Sequence, residues 1–175
     1  MIENQKMSSS ALLVIDVQNG LFNKSIPIYQ SDQLLSNIST LVSKAHQKQI
    51  PVIYIQHTND NTLAIESENW QLHPLIVPSN EDILVQKKHG NAFENTELQS
   101  ILQSRSVNSL VITGLVTHGC VKATSLGAME LGYKVVLVED GHSSYSKDAP
   151  DLITKWNNQL KNSGAMILRT QEIQF

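Results

Sequence analysis

Ala11 to Val17 (ALLVIDV) is an almost unbroken apolar run, interrupted only by Asp16 near its end. Such a run has no polar face, which suits a strand covered on both sides, as strands of parallel sheets are. Parallel neighbours need long crossovers, so this run calls for helices elsewhere in the chain. The rest of the sequence supplies them. Strands are expected at Val52 to Gln56, Ile83 to Gln86, Leu110 to Thr113, Val135 to Val138 and Ala165 to Leu168. Between them lie stretches of helical period. One opens at Ser31 or Asp32 and carries Leu34, Leu35, Ile38, Leu41, Val42 and Ala45 on one face. A short helix capped by Thr96 carries Leu98, Ile101 and Leu102, and another follows Gly114 and runs through Leu131. The last is initiated by Pro150 and carries Leu152, Ile153, Trp156 and Leu160. Strands alternating with helices predict an α/β fold: a mostly parallel sheet, right-handed crossovers and helices on both faces.

The 175 residues fit one domain over 1–175, with a polar N-terminal extension at 1–10. No repeat, low-complexity tract or linker divides them. The segment from His57 to Asn80 is the exception to short connections, and loops of that length are usually functional. It is the expected substrate-covering element. A net charge of -3 provides no basic stripe for nucleic acid. No apolar run approaches the ~20 residues that cross a bilayer, and Met1 to Ser10 lacks the basic-then-apolar pattern of a secretory signal. A cytoplasmic location is expected. The single cysteine, Cys120, can form no internal disulfide and supplies no zinc site without several histidines.

In an open parallel sheet the C-terminal strand ends share one edge, where ligands bind. Asp16 closes the first strand, Lys87 follows the third, and Cys120 lies just past the fourth at the start of a helix. A base, a cation and a nucleophile thus converge from distant parts of the chain. Each has a plainer explanation alone: a lone cysteine more often fills a core, an aspartate after a strand caps a turn, and a lysine there is solvated. A helix N-terminus and a nearby ammonium both favour thiolate over thiol, so a largely ionised Cys120 is expected.

At these three residues the chain resembles the isochorismatase-like cysteine hydrolases, a superfamily that includes nicotinamidase, N-carbamoylsarcosine amidohydrolase and ureidoacrylate amidohydrolase. Three segments carry the resemblance: ALLVIDVQNGLF (11–22), KKHGNAFENTELQSIL (87–102) and LVITGLVTHGCVKATSLGAMELGYKVVLVEDGHSS (110–144). The spacing of six residues to Phe93 selects Lys87 over Lys88. The third segment matches the Gly-x-x-Thr-x-x-Cys-Val element of the family. The resemblance implies a Rossmann-like three-layer sandwich with a six-stranded parallel sheet in the order 3-2-1-4-5-6. It also implies a cis peptide at Leu115–Val116 and an oxyanion hole formed by the backbone N–H groups of Val116 and Cys120. Asp16, Lys87 and Cys120 would be catalytic, acting through a thioester and without a cofactor. A homodimer or homotetramer is the family expectation.

Departures from the family narrow the substrate. Nicotinamidases place an Asp-x-His pair after strand two to hold a metal. Here the segment reads Gln56-His57-Thr58, so no close ligand set is expected around His57 or His73, and no metal. True isochorismatases lack the cysteine nucleophile. An amide, ureido or imide carbonyl on a small molecule remains. Gln18, expected on the same strand face as Asp16, together with Phe22, Trp70, Thr117 and His118, would line its pocket. His142 would belong to a turn after strand five. The rival readings are a thiol sensor, which lacks a resolving cysteine, a silent binding domain, which need not keep all three residues, a nicotinamidase-type activity, and a buried structural cysteine in an unrelated α/β enzyme.

Overall fold

The structure, a computed structural model, describes residues 9–175. Residues 1–8 of the expected extension lie outside the described residues, and Ser10 already opens the first strand. Strands β1 (Ser10–Ile15), β2 (Val52–His57), β3 (Ile83–Lys87), β4 (Ser109–Leu115), β5 (Lys134–Ser143) and β6 (Met166–Leu168) form one sheet. All its pairings are parallel, in the order β3-β2-β1-β4-β5-β6. The helices are α1 (Asn19–Phe22), α2 (Ser31–Gln47), α3 (Leu98–Ser104), α4 (Lys122–Glu130) and α5 (Ala149–Asn162). None is long and apolar enough to cross a membrane among the described residues.

Alternate residues of each central strand feed opposite faces. Leu13, Ile15, Ile53, Ile55, Leu110, Ile112 and Leu137 pack under α3, α4 and α5 through Leu98, Leu102, Ala128 and Leu160. Leu12, Val14, Val52 and Tyr54 pack under α2 through Leu34, Leu35, Ile38 and Leu41. The near-continuous apolar run of β1 is therefore satisfied from both sides.

Three of the boundaries that differ from expectation do so for a backbone reason. β1 ends at Ile15 because Asp16 turns to φ 52. That turn breaks the strand face that Gln18 is expected to share with Asp16. β5 runs past Val138 to Ser143 because a bulge intervenes: Ile112 faces Leu137, but Gly114 faces His142. His142 thus lies within the strand and is 3 % exposed, rather than in a turn after it. The stretch between β4 and α4 is a π-type turn, Thr117–Val121, whose Gly119 leaves helical geometry at φ -113, ψ -112.

The long connection after β2 is anchored to the start of the chain. Asn19 N–H donates to Gln71 O, Gly20 N–H to Asn69 O and His73 N–H to Val17 O, each at 2.9 Å. It therefore forms a wall beside the C-terminal edge of β1 and β2.

Candidate active site

Register delivers the polar residues. β1 ends level with Ile55 of β2 and Gly114 of β4, and His57 pairs with Lys87 across β2 and β3. Parallel partners in register point their side chains to the same face, so His57 and Lys87 stand side by side. Asp16 enters from the end of β1, and Cys120 from the turn after β4.

The Lys87 ammonium is the hub. Its Nζ lies 3.1 Å from Asp16 Oδ2, 3.1 Å from Cys120 Sγ, 2.9 Å from His57 Nδ1 and 3.1 Å from the carbonyl oxygen of His89. Lys87 is 1 % exposed and Asp16 2 %. Buried charges are held only where they are paired, and here each is the other's partner. Asp16 Oδ1 is also buried and receives no hydrogen bond of good geometry from the described residues. One oxygen of the carboxylate is thus tied to the ammonium while the other is free to take a proton.

Cys120 is half-buried, and its thiol is pushed up to about 12. Burial is the main cause, the Asp16 carboxylate adds to it, and Lys87 opposes it without cancelling it. This corrects the expectation of a largely ionised cysteine: burial and the Asp16 carboxylate both favour the thiol. The turn preceding α4 and the ammonium favour the thiolate, but they act against desolvation and a nearby negative charge.

The expectation that no close ligand set accompanies His57 is also corrected. One ligand-type atom each from Asp16, His57 and Cys120 lies within 4.8 Å of the others. Lys87 Nζ is within 3.1 Å of all three side chains, so the chain itself places a cation among them.

The Leu115–Val116 peptide bond is cis. The carbonyl of Val116 accepts from Gly119 N–H at 3.0 Å and Val121 N–H at 3.3 Å, which closes the turn carrying Cys120. Thr117 is buried with its hydroxyl 2.8 Å from His142 Nδ1, and His142 Nε2 is 2.9 Å from Asn157 Oδ1. The Thr117 side chain is therefore committed to His142 of β5, where it braces the turn. Burial lowers the pKa of His142. The Nε2–H of the neutral ring donates to Asn157, and its Nδ1 accepts from Thr117.

The other expected lining residues separate. Gln18 is fully buried, donating to His57 O at 3.0 Å and Trp70 O at 2.8 Å and accepting from His57 N–H at 2.8 Å. It clamps the backbone of His57 to the long connection. Trp70 is half-buried with its indole N–H on Thr58 Oγ1 at 3.0 Å, and the ring of Phe22 lies 4.6 Å from that of His73. His118 is half-buried, with Nδ1 3.5 Å from Ser144 Oγ. Two histidines of this region escape sequence reasoning. Residue type alone suggests His57 as a metal ligand and nothing more. His142 reads as part of a turn, although LVEDGHSS continues a strand if a bulge is allowed.

Known proteins share this architecture. The model of the isochorismatase domain matches residues 10–172. A streptothricin hydrolase from Streptomyces noursei is 31% identical over 147 residues, 81% of this chain and 52% of the relative, so the chain spans about half that protein's length. The ureidoacrylate amidohydrolase RutB from Enterobacter sp. (strain 638) is 27% identical over 169 residues, 75% of this chain and 74% of the relative. The crystal structure of an isochorismatase family protein superposes with a TM-score of 0.88 at 27% identity, covering 93% of this chain and 99% of that one.

Proposed function

The chain belongs to the isochorismatase family of hydrolases, and from that premise we propose that it cleaves a small amide or ureido C–N bond with Cys120 as nucleophile. The observation that carries the reading is Lys87 Nζ, 3.1 Å from both the Asp16 carboxylate and the Cys120 sulfur. The amidohydrolase and streptothricin hydrolase relatives support hydrolytic chemistry. A recess of about 360 Å³ bordered by Thr58, Ile65, Lys87, His89 and Asn95 adjoins Lys87, with neither Asp16 nor Cys120 in its lining.

In the first half-reaction Asp16 takes the thiol proton, and the Lys87 ammonium stabilises the thiolate as it forms. Sulfur attacks the carbonyl carbon, and the C=O electron pair moves to oxygen. The backbone N–H groups of Val116 and Cys120 receive that oxyanion; losing one such donor costs roughly 10²–10³ in rate in comparable sites. Collapse breaks the C–N bond, and the leaving amine or ammonia takes the proton held by Asp16. In the second half-reaction Asp16 removes a proton from water as it attacks the thioester. The C–S bond breaks, and the departing sulfur recovers its proton from Asp16. A carboxylic acid (from a ureido substrate, a carbamic acid) and an amine or ammonia leave, and the thiol is restored.

The test is ammonia or amine release from a panel of small amides, ureido acids and nicotinamide, with wild type beside Cys120→Ala. Release that vanishes in the variant, with an acyl adduct on the Cys120 peptide by mass spectrometry, is the expected result. Release that persists in Cys120→Ala would remove the cysteine from the mechanism.

A further inference from the structure

We infer that His57 is a positioning residue that holds the Lys87 ammonium against Cys120 and Asp16. The inference rests on the Asp16–Lys87–Cys120 reading above and adds a fourth member to it. An ammonium has no acceptor, so in the 2.9 Å contact between Lys87 Nζ and His57 Nδ1 the imidazole must accept. That fixes the ring as the neutral tautomer with its proton on Nε2. Burial and the adjacent Lys87 both lower the pKa of His57, against the opposing charge of Asp16, and His89 adds a smaller lowering.

The contact is built into the sheet. His57 and Lys87 are register partners at the ends of β2 and β3, and the backbone of His57 is gripped on both sides by the Gln18 amide. A fully buried glutamine committed to one residue's N–H and C=O leaves that residue little freedom. His57 is thereby a rigid acceptor, whereas the four-carbon stem of lysine is flexible and needs fixed partners.

Counting hydrogens shows what His57 does. The ammonium offers three N–H groups to four acceptors: Asp16 Oδ2, His57 Nδ1, His89 O and Cys120 Sγ. The neutral thiol sulfur is the weakest acceptor, so in the resting site the other three hold the ammonium in place. When Asp16 takes the thiol proton, sulfur becomes the strongest acceptor and draws one N–H. The charge is already within 3.1 Å of sulfur, so meeting the thiolate takes only the turning of one N–H. Without His57 the ammonium keeps three acceptors but loses the one fixed in the sheet, so nothing on the β2 side holds it at its distance from sulfur.

The experiment follows the alkylation rate of Cys120 by iodoacetamide at pH 8, which needs no substrate. The proteins are wild type, His57→Leu, His57→Asn, Lys87→Met and the double variant His57→Leu/Lys87→Met, each confirmed folded by thermal melting. Lys87→Gln replaces Lys87→Met if the latter does not fold. His57→Leu is expected to slow alkylation about tenfold, the usual scale for losing one hydrogen bond to a charged group. His57→Asn, whose Oδ1 is attached at Cγ as Nδ1 is, should stay within about threefold of wild type. In the Lys87→Met background His57→Leu should add nothing. Wild-type reactivity in His57→Leu beside slow Lys87→Met would overturn the inference and leave the hydrolase reading standing. Equal slowing in Leu and Asn variants, or a full further loss in the double variant, would make His57 a packing residue and also overturn it. Wild-type reactivity in Lys87→Met would instead sink the three-residue reading on which the inference rests.

Discussion

Asp16 and Lys87, 71 residues apart in the chain, form an ion pair of 3.1 Å with both side chains almost wholly buried. Such a pair contributes little net stability over an apolar replacement of the same volume, but breaking it from one side leaves an uncompensated buried charge. Lys87→Met should therefore destabilise the fold by about 3–5 kcal/mol. Adding Asp16→Asn to Lys87→Met should recover part of that loss although both residues are gone. Denaturant melts of the two single variants and the double variant measure this coupling. A double variant as unstable as the sum of the singles would mean that the charges do not act as a pair.

The ionisation of Cys120 should respond in opposite directions to its two neighbours. Its thiol is held up by burial first and by Asp16 second, with Lys87 opposing. Wild-type alkylation should therefore keep rising through pH 9, where an ordinary thiol near 8.5 is already levelling off. Asp16→Asn should shift the profile to lower pH and speed alkylation at pH 8; Lys87→Met should shift it upward. Turnover should fall in both, since the proposed mechanism uses Asp16 as base and Lys87 as cation. A wild-type profile that levels off below pH 8 would contradict the resting thiol.

Much of this architecture is legible in the chain of residues alone. The apolar runs announce a parallel sheet, and the C-terminal ends of three strands announce where Asp16, Lys87 and Cys120 meet. What stays hidden depends on register and on bulges. His57 matters because it pairs with Lys87 across β2 and β3, and pairing is a property of two strands that neither strand's sequence carries alone. The Glu139-Asp140-Gly141 stretch has the composition of a turn. Instead it forms a bulge, fixed by the Thr113 hydroxyl donating to Gly141 O. Gln18 reads as a pocket residue because a glutamine near a candidate catalytic aspartate suggests one. Its partners are backbone groups 39 and 52 residues away.

Two glycines with positive φ should behave very differently. Gly114 (φ 122) sits where β4 meets β1, and a Cβ there would lie 2.1 Å from Ile15 O and 2.6 Å from Ile15 N. The obstacle is the backbone of a central strand, immediately before Asp16. Gly114→Ala should cost at least about 3 kcal/mol and abolish activity, since it separates the strands that bring Asp16 and Cys120 together. Gly132 (φ 87), after α4, has nothing within 4 Å of such a Cβ. Gly132→Ala should cost only the conformational penalty of about 1–2 kcal/mol and leave activity intact. Comparable losses at the two positions would show that close approach at Ile15 is not what demands glycine.

His142 should make the fold sensitive to mild acid. It lies in the bulged end of β5, between Thr117 of the turn carrying Cys120 and Asn157 of α5, with Glu139 and Asp140 nearby on its own strand. Burial lowers its pKa against the pull of those acids, so the folded protein binds its proton only below 6.5, whereas the unfolded chain binds it near 6.5. The unfolded state thus holds more protons in this window, and stability rises with pH there. The contribution is complete above about pH 6.5 and is lost as pH falls toward the lowered folded value, at no more than about 1.4 kcal/mol per unit. His57 and His73 are shifted the same way and add to the slope. The melting temperature of wild type should therefore drop between pH 7 and pH 5, and His142→Gln, which cannot titrate, should show a smaller drop from a lower starting point. An identical drop in the two proteins would mean that His142 binds its proton equally well in the folded and unfolded states, so that its burial between Thr117 and Asn157 does not oppose the charge.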